Sequence, residues 1–445
     1  MSIAQLNRQL KQLFEHDAPE LAKQMGMRER TISFSQLALL FVMGWWSQPQ
    51  SGPSALARFA GSLGLTVSKQ AVDCHWTPRT AEWLLALLRR AVQQVVRGQG
   101  VTLDWMRLFT AVWVEDGSTI TLPVALAEIW RGCGGRAAKE GQPDKSKAAL
   151  KITVRWNLKD GELQGPHLQA GRRHELSSVL SSQQMPSGSV WLADLGYWSL
   201  MYLSSLMKQG VYFCMRVKIG AVIWHDKQRT DVAQLLASLD EQATQAEWLV
   251  NVGGAQLVKQ VRLLVKRVPE SVANLRQARL REYAAKHSKP VNPVALELAH
   301  WTIIVTNVPA SLMSLGQAFM VMKIRWQIEL LFKLWKQEAL LDEWSSDKPW
   351  RILCEVYAKL LAMVVQHWVI LVACDDDPHA SWTGVAEIVR QQVPMLVHGF
   401  RQHLSLSKAL RLVKDSVRGG CSIVARSTRL STSRHIQSAF DPPVT

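Results

Sequence analysis

Two aspartates, Asp116 and Asp194, are placed in the sequence where their carboxylates could bind a metal ion together. Each ends an apolar stretch typical of a strand, and small or turn-forming residues follow each of them. Ligands gather at the carboxyl ends of strands in α/β sheets, so aspartates from adjacent strands would lie close together. Like charges at short range are costly unless a cation neutralises them. Oxygen-only ligands suit magnesium or manganese better than zinc, so the pair predicts a site for such an ion.

A structural role for each aspartate is the competing interpretation. Aspartates that follow strands often form turns or cap helices, and each of the two, taken singly, is more often structural. Glu115, which precedes Asp116, is a weaker candidate because successive side chains of a strand point to opposite faces. A metal site is therefore favoured only if another acidic residue joins the two aspartates.

Glu329 is the third acidic candidate, and it lies in the otherwise apolar segment 325–336. At about 100° per residue, helical geometry places four side chains on one narrow stripe: Arg325, Glu329, Phe332 and Lys336. Large apolar residues take up most of the remaining circumference: Trp326, Leu330 and Leu334. An exposed Arg-Glu-Lys series would contribute only about 0.3–0.5 kcal/mol per pair. We expect instead that Glu329 faces the two aspartates, since an uncompensated buried carboxylate is strongly disfavoured.

Hydrophobic periodicity predicts the elements that must position these residues. Six strands are predicted, at 108–116, 150–158, 162–170, 189–194, 211–218 and 301–309. A Lys-Asp-Gly turn at 159–161 joins the second and third strands as a hairpin. Helices are predicted near 175–184, over 198–210 and over 314–341. The carboxylates then fall on the first strand, the fourth strand and the last helix, which is the arrangement of the RNase H-like fold.

The flanking segments differ in periodicity from this core. Residues 1–104 have helical spacing, and within 54–76 a glycine turn precedes Ser68, a candidate N-cap. That pattern fits a helix-turn-helix or, with better odds, an ordinary helical hairpin. Residues 219–300 interrupt the alternation and predict an insertion of short strands, loops and one charged helical piece over 274–287, so the core comprises 105–218 and 301–345. The remaining residues, 346–445, predict a helical region with a loose, basic tail.

Composition narrows the class of partner. The 445 residues carry a formal net charge of +16, with 48% hydrophobic and 20% charged residues. A globular protein this basic favours a polyanion, nucleic acid or an anionic membrane surface, although about half of such proteins have neither partner. The six cysteines lack metal-ligating spacing and fit a reducing cytoplasm. The apolar run 355–374 contains charged residues, which favours a buried helix over a membrane span.

Several motifs together resemble those of bacterial insertion-sequence DDE transposases with a Tyr-Arg-Glu-Lys signature, the insertion-sequence-four-like family. Arg325, Glu329 and Lys336 match that signature in type and spacing, and Met322 stands in its tyrosine slot. Four further matches complete the resemblance over about residues 105–340: 116-DGSTITLP-123, 194-DLGY-197 with Leu195 where arginine is frequent, Arg216 with Lys218, and 301-WTIIVTNVP-309.

The resemblance implies an α/β RNase H-like catalytic core with a β-rich insertion, flanked by helical N- and C-terminal domains. Asp116, Asp194 and Glu329 would be the catalytic residues and would bind two Mg²⁺ or Mn²⁺ ions. The residues expected to contact DNA are Arg325, Lys336, Arg216, Lys218, Trp301 and Lys333. Trp301 matches a position that stacks a flipped base, worth about 1–3 kcal/mol, but a core tryptophan is nearly as good an interpretation.

The function implied is cut-and-paste DNA transposition in the bacterial cytoplasm, in association with the nucleoid. The protein would bind terminal inverted repeats, cleave by attack of water, and join the freed 3′-OH to target DNA. Its partners would be double-stranded DNA at the transposon ends and target, and a second copy in a homodimeric synaptic complex, with no membrane. The alternative is a degenerate relative that binds DNA without cutting it, as Met322 and Leu195 suggest. A structure-specific nuclease is a third option, but it would not need the insertion.

Overall fold

Ten strands form one mixed sheet in the part of the chain that the computed structural model describes: residues 1–98, 103–134, 147–254, 258–374, 382–401 and 405–420. The strands are β1 (Val112–Leu122), β2 (Ala148–Asn157), β3 (Leu163–Ala170), β4 (Val190–Ala193), β5 (Tyr212–Arg216), β6 (Ile223–His225), β7 (Gln228–Thr230), β8 (Gln245–Val252), β9 (Val258–Arg267) and β10 (Trp301–Thr306). Their order across the sheet is β3-β2-β1-β4-β5-β10-β9-β8-β6-β7. The predicted tail beyond residue 420 lies outside the described residues.

Helices surround the sheet. They are α1 (Ile3–Lys11), α2 (Ala18–Gln24), α3 (Phe34–Ser47), α4 (Pro53–Phe59), α5 (Lys69–Asp73), α6 (Pro78–Val92), α7 (Leu200–Lys208), α8 (Val232–Ala237), α9 (Glu270–Lys286), α10 (Pro293–Leu298), α11 (Leu315–Ile324), α12 (Trp326–Glu338), α13 (Pro349–Ala373), α14 (Trp382–Gln391), α15 (Val393–Phe400) and α16 (Leu406–Gly420). Ser68 caps α5 as predicted, because its hydroxyl accepts from the Ala71 N–H. The segment 219–300 contributes the strands β6–β9 to the common sheet. The same segment also forms the helices α8, α9 and α10.

The strand β1 extends further than the sequence suggested. It pairs antiparallel with β2 as far as Leu122, whereas its parallel pairing with β4 stops at Glu115. The prediction that Asp116 ends the first strand was therefore wrong, because the hairpin partner β2 continues to supply backbone hydrogen bonds beyond it. Asp116 lies instead level with the end of the neighbouring strand β4. From Asp116 onward, β1 is paired with β2 on one side and no longer with β4 on the other.

Two predicted helices also differ from the structure. Residues 175–184 form two 3₁₀ turns, because the side chains of His174 and Ser178 accept backbone N–H groups two residues ahead and compete with helix formation. The long helix 314–341 divides into α11 and α12 at Arg325, whose carbonyl accepts from Ile328 in a tighter i→i+3 turn.

Apolar side chains of β1 alternate between two cores. Val112, Val114 and Ile120 belong to a large core shared with α11–α13 and the N-terminal helices. Trp113 belongs to a second core on the opposite face, shared with α7 and α8. This alternation places Asp116 on the face covered by α12, and it places Glu115 on the other, as predicted.

The helix α13 is long and apolar enough to cross a bilayer, but its apolar stretch is entirely buried inside the fold. Its polar residues have partners there. Glu355 pairs with Lys359 at 2.8 Å, Gln366 accepts from Trp46 at 2.7 Å, and His367 lies 2.7 Å from the Gly161 carbonyl. The prediction of a buried helix is confirmed.

Candidate active site

The Arg325 side chain bridges two of the predicted acidic residues. One guanidinium nitrogen lies 3.6 Å from Asp116 Oδ2, and the other donates to Glu329 Oε1 at 2.5 Å. Asp116 Oδ1 also accepts from the Gly117 N–H at 2.8 Å. The packing of α12 against β1 thus places both carboxylates, of Asp116 and Glu329, beside the Arg325 guanidinium. All three side chains are partly exposed to solvent.

Asp194 stands beside Asp116 on the sheet. Glu115 is in register with Ala193 on the parallel strand β4, so the next residue along each strand is one of the two aspartates. Burial raises the pKa of Asp116 to about 6, the Gly117 N–H and Arg325 oppose that rise, and the charges of Asp194 and Glu329 add to it. All three acidic residues are therefore near enough to interact electrostatically.

A cleft of about 450 Å³ opens beside these carboxylates. Residues from β1 and α12 line it: Asp116, Gly117, Ser118, Glu329, Phe332, Lys333, Lys336 and Gln337. The Lys336 ammonium reaches back across the cleft and lies 3.5 Å from the Thr119 carbonyl. Acidic and basic side chains thus share one cavity, in which a phosphate could bind to the lysines while its reacting oxygen faces the carboxylates.

The other residues predicted to contact DNA lie outside this cleft. Arg216 follows Met215, the partner of Ala193, so it stands beside Asp194 at the end of β5 and is exposed. Lys218 is exposed just beyond β5. Trp301 begins β10 and is half-buried, with the guanidinium carbon of Arg267 5.7 Å from its ring centre. These three residues therefore lie on or beside the strands β5 and β10, which follow β1 and β4 in the order of the sheet.

The prediction that large apolar residues shield α12 from water was wrong in part. Leu334 is buried, but Trp326 is 54% exposed and Leu330 is 42% exposed. Trp326 and Leu330 form a solvent-facing stripe at helical spacing together with Lys333 and Gln337. Glu329 is therefore not an uncompensated buried charge: one side of its helix is open, and Arg325 neutralises it.

The donor chemistry of the site fits a divalent cation. Carboxylate oxygens suit Mg²⁺ or Mn²⁺, and the Arg325 guanidinium now provides the positive charge between Asp116 and Glu329. Within the described ranges, no three His, Cys, Asp or Glu side chains are grouped closely enough to hold a metal as they stand. A cation bound to Asp116 and Glu329 would compete with Arg325 for their oxygens.

Two ion pairs behind the sheet were missed from the sequence. The fully buried Glu115 accepts from Arg155 at 2.8 Å and from Trp191 at 3.0 Å. Lys151 pairs with Glu175 at 2.9 Å. Strand alternation indicated that Glu115 faces away from Asp116, and a β1–β2 register would have placed Arg155 opposite it. No comparable signal in the sequence pointed to Glu175, which lies in a 3₁₀ turn.

Comparison with known proteins identifies a family for this chain. Residues 116–365 match a family model described as Transposase DDE domain, a range that begins at Asp116 and includes Asp194 and Glu329. The chain is 22% identical over 371 residues to the transposase for insertion sequence element IS231B of Bacillus thuringiensis subsp. berliner, covering 78% of this chain and 75% of that protein.

Two further relatives and one solved structure are similar. The IS231C transposase of the same subspecies is 21% identical over 95% of this chain and 88% of its own length. The IS1151 transposase of Clostridium perfringens is 21% identical over 82% of this chain and 80% of its own length. The piggyBac transposase in a synaptic complex with hairpin DNA aligns with a TM-score of 0.47 and 10% identity, covering 97% of this chain and 87% of that one.

Proposed function

The chain belongs to the family of transposases with a DDE domain, and from that premise we propose that it binds terminal inverted repeats, cleaves DNA at the ends of its element, and joins the freed 3′-OH to target DNA. The observation that carries the proposal is the meeting of Asp116 and Glu329 on Arg325 at the edge of a cleft lined by lysines. Acidic residues would hold catalytic cations there, and basic residues would hold the DNA phosphates.

The fold assigned to this activity is an RNase H-like core with a β-rich insertion. Strands β1–β5 and β10 with α7, α11 and α12 would form the core, within residues 105–218 and 301–345. Residues 219–300 would be the insertion, which enters the sheet through the pairing of β9 with β10. Residues 1–104 and 346–445 would be helical flanking domains that engage transposon ends.

The acidic and basic side chains in and beside the cleft have distinct parts in the proposed reaction. Asp116, Asp194 and Glu329 would hold two Mg²⁺ or Mn²⁺ ions, which would supply activation of the attacking oxygen and stabilisation of the leaving oxygen. Lys336 and Lys333, whose side chains line the cleft, orient the scissile phosphate. With cations bound to the carboxylates, Arg325 would be available for DNA, and its planar guanidinium would pair with a phosphate.

Residues beyond the cleft extend the proposed DNA surface. Arg216 beside Asp194, and Lys218 and Trp301 farther along the sheet, would contact the DNA that flanks the cleavage point. The net charge of +16 supplies affinity that weakens as salt increases, because bound cations are released from the DNA when protein replaces them. Simultaneous cleavage of two ends would need two copies of the chain, so we propose a homodimer on DNA.

The proposal is tested by nicking of terminal-repeat DNA in the presence of Mg²⁺. Glu329→Gln keeps the shape of the side chain but removes its charge, and we expect it to abolish nicking. Glu338→Gln on the same helix is the matched control, since Glu338 pairs with Arg390 at 3.2 Å outside the cleft, and it should nick like the wild type. Equal nicking by wild type and Glu329→Gln would refute the assigned site.

The alternative function is DNA binding without cleavage, and Met322 in the tyrosine slot is what motivates it. A thioether cannot donate a hydrogen bond to phosphate, so one contact of the signature is lost. Tight binding of terminal-repeat DNA without any metal-dependent product, in the wild type and in Met322→Tyr, would favour that alternative. A gain of nicking in Met322→Tyr would instead support a cleavage site that is complete except for this contact.

A further inference from the structure

Glu175 contacts the backbone next to both aspartates of the proposed site. A methyl group added to Gly117, the residue after Asp116, would stand 2.6 Å from Glu175 Oε2. A methyl group added to Gly196, two residues after Asp194, would stand 3.4 Å from Glu175 Cγ. Glu175 therefore leaves no room for a Cβ at Gly117, and its Cγ lies within ordinary van der Waals reach of the Gly196 position. Each glycine belongs to a different aspartate-bearing segment.

Lys151 holds Glu175 in this position. Its ammonium donates to Glu175 Oε1 at 2.9 Å and to the Arg173 carbonyl at 2.6 Å, which also fixes the segment that carries Glu175. Lys151 lies on β2 opposite Thr119 of β1, so the clamp is built on the same hairpin as Asp116. The carboxylate could give way to a new neighbour only by leaving Lys151.

The second oxygen of Glu175 is unusual. Oε2 is buried and has no hydrogen-bond partner among the described residues, although it lies against Gly117. An unpaired buried carboxylate oxygen costs on the order of 1–3 kcal/mol, so a contact kept at that cost calls for a physical explanation.

Glu175 does not reach the cleft itself. Gly117 and Asp116 are consecutive on β1 and point to opposite faces of the sheet, and Glu175 packs on the Gly117 side. Tyr197, from the turn after Asp194, is buried on that side, and after burial itself the charges of Glu115, Glu175 and Asp116 raise the pKa of its hydroxyl. Any influence of Glu175 on the aspartates must therefore pass through the backbone.

We propose that Glu175, clamped by Lys151, is a positioning residue that sets the distance between the segments bearing Asp116 and Asp194, and that Gly117 is a glycine because this carboxylate lies against it. The inference rests on the proposed function, since it concerns the site that would hold the cations. Displacements of about 1 Å at such a site cost roughly 100-fold in rate. Residues that orient metal ligands typically contribute about 10- to 100-fold in metal affinity.

The test measures Mn²⁺ affinity by electron paramagnetic resonance and, in parallel, Mn²⁺-dependent nicking of terminal-repeat DNA. The variants are Gly117→Ala, Glu175→Ala, the two combined, and Glu175→Gln. Gly316→Ala is the control for the added methyl, because nothing lies within 4 Å of its site. Glu247→Ala is the control for the lost carboxylate, because Glu247 pairs with Arg262 at 2.6 Å in the insertion.

We expect Gly117→Ala and Glu175→Ala each to weaken Mn²⁺ binding by about tenfold or more, and the controls to leave it unchanged. The combined variant should bind no more weakly than Glu175→Ala alone, because the added methyl then has room; such non-additivity identifies a direct contact. Glu175→Gln keeps the shape and can still accept from Lys151, so it should stay close to the wild type. A residue needed only for stability would lower the melting temperature without this pattern.

Two results would overturn the inference, and they are distinguishable. Wild-type Mn²⁺ affinity and nicking in Glu175→Ala, or losses that multiply in the combined variant, would refute the positioning role and leave the proposed function standing. A wild-type protein that neither binds Mn²⁺ nor nicks DNA would refute the proposed function and the inference with it.

Discussion

The guanidinium of Arg325 lies 3.6 Å from a carboxylate oxygen of Asp116, so the junction of α11 and α12 is tied to the strand β1 through one ion pair. The same side chain also binds Glu329, which makes Arg325 the internal counter-ion of the site. A divalent cation and Arg325 would compete for the same carboxylates. Entry of the cation and release of the arginine toward DNA would then be a single exchange.

Replacement of Arg325 tests this competition through stability. Arg325→Met leaves Asp116 and Glu329 facing each other without a counter-ion, which should lower the melting temperature in EDTA by an amount equivalent to about 1 kcal/mol. Added Mn²⁺ should restore most of that loss, because the ion replaces the missing charge. Arg390→Met, which breaks the pair with Glu338 outside the cleft, should show a loss that Mn²⁺ does not restore. An equal response of both variants to Mn²⁺ would argue against the exchange.

Lys336 is predicted to contact a phosphate and not a base. Lys336→Ala should weaken binding to terminal-repeat and unrelated DNA by similar factors, and it should reduce the slope of log affinity against log salt by about one. Lys208→Ala is the control, because Lys208 is exposed at the end of α7 on the other face of the sheet. Fluorescence anisotropy over a range of salt concentrations measures both the affinity for DNA and its slope against salt. An unchanged slope in Lys336→Ala would remove this lysine from the DNA surface.

His367 predicts a loss of stability in acid. Burial lowers its pKa to about 4 from an ordinary value of 6.5, although its contact with the Gly161 carbonyl opposes the change. The unfolded chain therefore takes up the proton more readily, so the stabilisation is complete above about pH 6.5 and is lost as the pH falls toward 4. The maximum effect is on the order of 3 kcal/mol.

Comparison with His367→Gln isolates this effect from general acid unfolding. Glutamine can donate to the same carbonyl but does not titrate, so the advantage of the wild type in melting temperature should shrink between pH 6.5 and pH 4. The two proteins are compared at the same pH and ionic strength. A difference between them that stays constant over this range would show that His367 remains neutral or is equally protonated in both states.

Strand periodicity was sufficient to predict that Asp116 and Asp194 lie on neighbouring strands. Asp116 and Asp194 end up side by side because two parallel strands are in register, and that depends only on local patterning and on strand order. The extent of β1 was not predictable, because the β2 partner that sustains it to Leu122 lies after a separate loop. Periodicity also could not decide which apolar face of α12 would be covered, so Trp326 was wrongly expected to exclude water.

Contacts on the face of the sheet opposite the cleft could not be predicted from the sequence. The contact between Glu175 and Gly117 depends on how the turn after β3 folds back over the hairpin, and no spacing rule links these two positions. The contact of Arg325 with Asp116 was likewise unexpected, since the place of Arg325 in the signature suggested a phosphate ligand. The role of an arginine can thus depend on which charges occupy the site.

We propose that Asp116, Asp194 and Glu329 hold cations in the space that Arg325 now bridges. The most direct test is a crystal structure of the protein with terminal-repeat DNA and Mn²⁺, with data collected to locate manganese by its anomalous scattering. We predict anomalous density among the three carboxylates, with the Arg325 side chain turned toward a phosphate. Arg325 still bound to Asp116 and Glu329 at saturating Mn²⁺, with no manganese between them, would show that these carboxylates do not hold cations.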